Sequence, residues 1–226
     1  MRYAATALIL NWRRQSNVAK ILAALRCQSV NIEIFMWDNS GSERFKDSVD
    51  LHVSSSSNLV CAPRWYLAKW ASAPVVFSLD DDLIPSHDQV VEQAIDALPK
   101  GGGVGYEGVI LRDGKGYRGA RHLRAHRSSN RCVDIIKGRF LMTHKSVATL
   151  SLGRGDYDMT QPKVEDDIVT SSCIEGRKVL PATLCRAFRD LDQGRHALCL
   201  EADHQARRDS ATRRFFAQAE QPESKQ

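Results

Sequence analysis

The chain has 226 residues, 42% hydrophobic and 26% charged, with a formal net charge of +5. That composition excludes disorder for most of the chain, and the surplus charge is weaker than the clustered basic footprint of a dedicated nucleic-acid binder. The longest apolar runs, Tyr3–Leu10 and Pro74–Leu79, fall far short of the ~20 residues a membrane-spanning helix needs, so no transmembrane segment is expected.

Tyr3–Leu10 reads as a buried strand. It runs directly into Asn11-Trp12-Arg13-Arg14 and not into a small-residue cleavage site, which argues against a secretory signal. Ser16–Gln28 follows with Val18, Ile21, Leu22 and Leu25 at helical spacing, and Ile32–Trp37 is the next strand. After the turn-rich Asp38-Asn39-Ser40-Gly41 come a short strand near Leu51–Val53, a polar loop Ser54–Asn58 and a helix from about Ala62 to Ser72. Val75–Leu79 is a third buried strand. Ser86-His87-Asp88-Gln89 fits a capping box opening a helix that stops at Pro99-Lys100-Gly101. Val104–Leu111 and Cys132–Thr143 read as strands flanking the basic, Gly-containing Arg112–Arg131, which is expected to be an exposed loop. Asp166–Ile174 reads as a short helix and Glu201–Ala219 as a polar helix anchored by Phe215 and Phe216.

Strands alternating with helices predict an α/β fold with a mainly parallel sheet flanked by helices, in which functional residues collect at the carboxyl ends of strands. Asn11, Asp38-Asn39 and Asp80–Asp82 all occupy such ends. Cys27, Cys61, Cys132, Cys173, Cys185 and Cys199 are scattered with no C-x-x-C pair, the pattern of reduced thiols in a cytoplasm.

Asp80-Asp81-Asp82 is the strongest local signal. Three successive carboxylates repel one another unless a cation relieves them, and Mn²⁺ or Mg²⁺ held by one or two carboxylates plus substrate phosphates would do so. Ile84 stands where an aspartyl phosphatase would need Thr, no P-loop, H-E-x-x-H or G-x-S-x-G stretch is present, and no G-x-G-x-x-G follows the first strand. The second acidic group, Glu165-Asp166-Asp167, suits a carboxylate aimed at a reacting sugar or acceptor hydroxyl, or equally the first turn of a helix opposing its dipole. His204 with Arg207 and Arg208 could neutralise a departing diphosphate, or form a solvated helix face. Arg154-Gly155-Asp156 is treated as a chance adhesion tripeptide.

In order, these segments resemble the exostosin-like glycosyltransferases, glycosyltransferase family 64, which have the nucleotide-sugar-binding GT-A fold. The resemblance rests on Asn11–Arg14, Trp37-Asp38-Asn39-Ser40-Gly41, Asn58-Leu59 through Arg64 with Trp65, Ser78-Leu79-Asp80-Asp81-Asp82, Phe140–Lys145, Asp166-Asp167-Ile168 and His204 followed by Arg208. It spans about residues 6–216. It implies a single glycosyltransferase domain over residues 1–220, with 1–100 binding the nucleotide, 101–220 the acceptor and catalytic part, and 221–226 a disordered tail. The activity implied is retaining transfer of a hexose or N-acetylhexosamine from a UDP-sugar, with Mn²⁺ or Mg²⁺, to a carbohydrate or glycoconjugate acceptor, an acidic one if the basic loop shapes that site. The resemblance also implies residue roles. Asp82, with Asp80, would hold the metal; Asn11, Arg13, Asn39, Asn58, Arg64, Asp80, Asp81 and His204 would bind the nucleotide sugar; Asp167, Asp166 and Arg208 would act in catalysis.

The competing readings are an inverting, family 2-like glycosyltransferase that uses the later carboxylate as general base, and a non-enzymatic anion or RNA binder using Arg112–Arg131. The second has Tyr117 as its only aromatic for base stacking, so nucleic acid is not expected as a partner.

Overall fold

Seven consecutive buried residues, Ala5–Asn11, make β1 the axis of the computed structural model, which describes residues 2–112, 116–154, 165–192 and 201–216. A strand apolar on both faces must be covered on both, and this one is. Helix α1 (Gln15–Arg26) lays Val18, Ile21, Leu22 and Leu25 against the core, and β2 (Ile32–Asp38) returns parallel to β1. Next come β3 (Leu51–Ser54), α2 (Pro63–Leu67), β4 (Val75–Leu79), β5 (Leu83–Pro85), α3 (Val90–Asp96), β6 (Gly103–Gly105), β7 (Glu107–Ile110), β8 (Arg121–Arg124), β9 (Arg131–Cys132), β10 (Ile135–Ile136) and β11 (Phe140–His144). The chain then forms α4 (Lys145–Arg154), α5 (Asp166–Ser172), β12 (Lys178–Leu180), β13 (Phe188–Asp190) and α6 (His204–Phe216).

The main sheet has eight strands in the order β3-β2-β1-β4-β11-β6-β12-β9. Its first four strands are parallel and β11 runs antiparallel to both β4 and β6. Two small sheets, β10-β7-β8 and β13-β5, stand beside it. Register decides what meets what: Ile9 lies opposite Leu79, Asn11 opposite Asp38 and Phe140 opposite Leu79. The residues after β1, β2 and β4 and those before β11 therefore share one end of the sheet. Beneath that end, Phe77 and Phe140 pack at 5.5 Å between ring centroids, Phe140 and Phe188 at 4.6 Å, and Phe188 and Tyr106 at 5.1 Å. Among the described residues no helix is long and apolar enough to cross a membrane.

Several sequence expectations change. The capping box does not form: Gln89 precedes α3 without a side-chain cap, and Ser86 Oγ instead donates to the Arg186 carbonyl at 2.9 Å. The single strand expected over Val104–Leu111 is two, because the chain leaves the main sheet at Tyr106 and joins β10 and β8. Cys132–Thr143 likewise divides among β9, β10 and β11. Arg112–Arg131 is not wholly an exposed loop: it contains β8, and Tyr117 is buried with its ring under Arg208, 4.2 Å from the guanidinium carbon. Base stacking on Tyr117 is thereby excluded in this conformation. Helix α6 is described over His204–Phe216; its expected continuation to Ala219, the expected tail 221–226, Cys199 and Arg154-Gly155-Asp156 beyond Arg154 lie outside the described residues.

Gly105 is where β6 passes under Ile136: a Cβ there would stand 2.2 Å from Ile136 Cγ2 and 3.3 Å from two backbone oxygens. Backbone cannot move aside cheaply, so Gly105→Ala is expected to lower stability by about 1–3 kcal/mol in urea unfolding, as overpacking does.

Candidate active site

Strand β4 is apolar to Leu79, so the next three residues emerge at the carboxyl edge of the parallel strands. Leu83 N–H donates to the Asp80 carbonyl (3.3 Å), a turn that carries the chain into β5 and leaves the three carboxylates around it. Each one meets a guanidinium. Arg64 Nη1 donates to Asp80 Oδ1 at 2.5 Å; Arg14 Nη1 donates to Asp81 Oδ1 at 2.5 Å and to Asp82 Oδ2 at 3.4 Å; Arg139 Nε donates to Asp82 Oδ1 at 3.0 Å. Burial pushes the Asp81 carboxyl up to about 6, with the Arg14 guanidinium opposing and the other two aspartates reinforcing the shift. Burial and the Asp80 charge also raise Asp82, against Arg139 and Arg14.

Arg139 precedes β11 and is held on several sides. Its guanidinium reaches Glu107 Oε1 (3.1 Å), Asp190 Oδ1 (2.7 Å) and the Asp82 carbonyl (3.3 Å). Glu107, buried, also accepts from Arg124 (2.8 Å) and Lys137 (3.3 Å). A carboxylate that gathers three cations offsets its own desolvation and fixes where they sit.

The second acidic group opens α5. Asp166 Oδ2 accepts from Arg64 Nε (3.1 Å) and Nη2 (2.9 Å) and from the Trp65 indole N–H (2.8 Å). Arg64 thus joins Asp80 to Asp166; burial works against its charge, yet the two carboxylates hold it well above the usual arginine range. Asp167 takes Arg208 in a fork, Nη1 to Oδ1 at 3.0 Å and Nη2 to Oδ2 at 2.7 Å, and accepts the Gly138 (3.3 Å) and Ile168 (2.9 Å) N–H groups. Burial opposes its ionisation, but Arg208 and the Gly138 amide outweigh it and keep Asp167 below the ordinary carboxylate range. Arg208 also donates to Glu165 (2.8 Å) and lies over Tyr117, whose phenol burial pushes up to about 12. Arg207 meets Glu165 at 3.3 Å. His204 is held below its usual range by burial and by Arg208 and Arg207. His204 Nδ1 and Arg208 Nε are buried without a hydrogen-bond partner.

Asn11, Asn39 and Asn58 form a separate group at the ends of β1 and β2. Asn11 Nδ2 donates to Asp38 (2.8 Å), leaving Oδ1 buried and without a partner. Asn39 donates to the Val60 carbonyl (2.9 Å) and accepts the Leu59 N–H (3.0 Å), so it pins the loop that carries Asn58, whose side chain closes on Val60 N–H (3.0 Å). Arg13 does not reach the aspartates. It stands at φ +63, where an L residue is strained, with its guanidinium 4.7 Å from the centroid of the Trp12 ring. That turn aims the next side chain, Arg14, at Asp81 and Asp82.

The structure thus gathers Asp80, Asp166 and Arg64, and separately Asp167 and Arg208. Sequence reading passed over Arg14, Arg139, Glu107, Tyr117 and Gly138 as site residues. Arg14 sat inside a segment already singled out; Arg139 and Glu107 carried no motif at all. Among the described residues no group of three or more His, Cys, Asp and Glu side chains forms a metal site. Two carboxylates do suit a divalent cation that brings phosphate oxygens with it: Asp81 and Asp82 converge on one positive atom, Arg14 Nη1, and both offer hard oxygen donors.

No protein-family model matches the chain, and no curated protein sequence does. Solved structures match the fold. The S. aureus TarS structure aligns over 79% of this chain and 35% of its own at TM-score 0.51 and 14% identity, and its 1–349 fragment over 79% and 57% at 0.50 and 15%. A mannosyltransferase, PcManGT from Pyrobaculum calidifontis, in complex with GDP-Man and Mn²⁺, aligns over 80% of this chain and 55% of its own at TM-score 0.52 and 12% identity. The chain therefore has a glycosyltransferase fold and spans between about a third and somewhat over half of the chains it matches.

Two outcomes follow from the charge pairing. Arg208→Ala leaves Asp167 a buried anion without its guanidinium, Glu165 keeping Arg207, and is expected to cost about 3–5 kcal/mol in urea unfolding; Asp167→Asn in the same chain should restore part of it. Asp81, raised from 3.8 to about 6, binds its proton more tightly folded than unfolded. Its stabilising contribution is complete below pH 3.8 and is lost as pH rises through about 6. Asp81→Asn is therefore expected to melt progressively higher relative to the parent across that window.

Proposed function

We propose that the chain transfers a sugar from a nucleoside-diphosphate donor, a UDP-sugar, to a hydroxyl of a carbohydrate or glycoconjugate acceptor, with retention. The observation that carries this reading is Arg64, buried between Asp80 and Asp166, which ties the acidic end of β4 to the acidic first turn of α5 at the open edge of the sheet. A nucleoside-diphosphate sugar needs a polar cradle for the nucleoside, counter-charge for the diphosphate and a carboxylate beside the transferred sugar. This end of the fold offers all of these together.

In this reading Asn11, Asn39 and Asn58 face the nucleoside, the unpartnered Asn11 Oδ1 being an acceptor in want of a donor. Asp82, with Asp81, holds the divalent cation, which supplies Lewis-acid stabilisation of the leaving diphosphate. Arg14 and Arg139 supply fixed positive charge on the same side, and His204 and the free Nε of Arg208 offer polar contacts from α6. Asp80 and Arg64 orient the donor sugar.

Retention, as against an inverting transfer with Asp167 as general base, is favoured by the state of Asp167. A base must hold a free lone pair and an elevated affinity for a proton. Asp167 instead receives Arg208, Gly138 and Ile168 and is held below the ordinary carboxylate range. Such a carboxylate stabilises positive charge at the anomeric carbon far better than it removes a proton.

Calorimetric titration with UDP, and in parallel GDP, in Mn²⁺ and then in EDTA tests the donor class. UDP binding that Asp82→Ala weakens is expected; a folded protein that binds neither nucleotide in any condition overturns the reading. Gly138→Ala should depress donor binding and lower the melting temperature, because a Cβ at that position stands 2.7 Å from Arg64 Nη2 and 3.3 Å from Asp167 Cβ. The anomeric configuration of the product, read by proton NMR, decides retention.

A further inference from the structure

The convergence of Asp81 and Asp82 on a single nitrogen of Arg14 has the geometry of a cation site whose cation is part of the chain. Arg14 Nη1 is 2.5 Å from Asp81 Oδ1 and 3.4 Å from Asp82 Oδ2, and these carboxylates receive the hydrogen bonds of its guanidinium. Arg139 reaches Asp82 from the other side at 3.0 Å. The two guanidinium groups offset the charge of the two carboxylates, so a divalent ion approaching the free protein meets a positive group a few ångströms from its ligands.

We infer that Arg14 is a built-in counter-cation that occupies the divalent-ion position until a donor diphosphate arrives, so that nucleotide and metal bind together and the ion alone binds feebly. The inference rests on the nucleotide-sugar reading above. The two arginines are not equivalent. Arg139 is tied to Glu107, to Asp190 and to two atoms of Asp82, and so stays put. Arg14, as exposed as Arg139, is held at the mouth of α1 by the two aspartates. A diphosphate offers the planar fork of a guanidinium a better match than two separate carboxylates do. As Arg14 turns to the phosphate oxygens, both carboxylates are released to the ion, and the diphosphate adds its own negative charge and oxygen ligands. The exchange replaces one pairing by another at each step and never leaves a buried charge alone.

The same account gives the strained turn a purpose. Arg13 at φ +63 lets the chain leave β1 and enter α1 with residue 14 facing the end of β4.

Electron paramagnetic resonance of Mn²⁺, which separates free from bound ion, provides the test. Parent protein, Arg14→Gln, Arg14→Met and Arg14→Lys are titrated with Mn²⁺ alone and with UDP present, with thermal melts to verify folding. The parent is expected to bind Mn²⁺ at least about tenfold more tightly with UDP than without, and UDP to gain by the same factor from Mn²⁺. Without nucleotide, the neutral variants Arg14→Gln and Arg14→Met should bind Mn²⁺ at least about tenfold more tightly than the parent, the scale of one close charge pair. Arg14→Lys, which keeps the charge, should stay near the parent. Equal Mn²⁺ affinity in the parent and in both neutral variants, with UDP still binding, overturns the inference and leaves the donor reading intact. Absence of both Mn²⁺ and UDP binding in every folded protein overturns both.

Discussion

A buried guanidinium cannot stand without anions around it, and the position of Arg64 makes that constraint the organising one here. Arg64 comes from α2, a short helix whose start at Pro63 suits the fixed backbone angle of proline. It reaches Asp80, 16 residues on, and Asp166, 102 residues on. Taking such an ion from water costs several kcal/mol unless both sides are paired. That cost couples the end of β4, the start of α5 and the α2 segment into one arrangement: none can shift without exposing a charge in a dry place. Trp65, adjacent on α2, donates to the same Asp166 oxygen and closes the remaining side. Gly138 is small because Arg64 lies where its Cβ would be.

Around this link, ion pairs spread outward in two directions. One passes through Asp167 and Arg208 to Glu165, Arg207 and the ring of Tyr117; the other passes through Asp82 and Arg139 to Glu107, Asp190 and Arg124. Buried pairs of this kind contribute little net stability compared with an apolar core, which here is supplied by β1, β2, β4 and the Phe77, Phe140 and Phe188 rings. What they contribute is position and a near-balance of charge.

The glycosyltransferase fold of the chain fits this arrangement without dictating it. Structures that share the fold do so at 12–15% identity, a level at which the frame is common and side chains are not. The frame places the carboxyl ends of β1, β2 and β4 and the start of β11 on one edge. The chemistry is decided by what the loops there carry. In this chain they carry a set of arginine–carboxylate contacts, among them Arg14 at a turn where a non-glycine residue precedes it in the left-handed region.

The alternation of apolar runs with helical spacing determined, from sequence alone, the parallel α/β core and the places where β1, β2 and β4 stop, and with them the placement of Asn11, Asp38-Asn39 and Asp80–Asp82 at one edge. These are local properties, since a strand buried on both faces advertises itself in a few consecutive residues. Short strands with a single apolar residue each, such as β8 and β9, lack that signature, so a stretch like Arg112–Arg131 reads as loop although part of it pairs. Ser86 carries a capping pattern, yet the carbonyl of Arg186 is a partner only once β13 lies beside β5. The pairing of charges was decided only in three dimensions. Nothing near residue 14 in sequence distinguishes it from Arg13, but the turn at Arg13 sends the two side chains apart, one over Trp12 and the other to carboxylates 67 and 68 residues away. Sequence shows which charges exist and on which elements; only packing chooses their partners, because Coulomb energy and desolvation depend on separation and burial, and both are set by the fold.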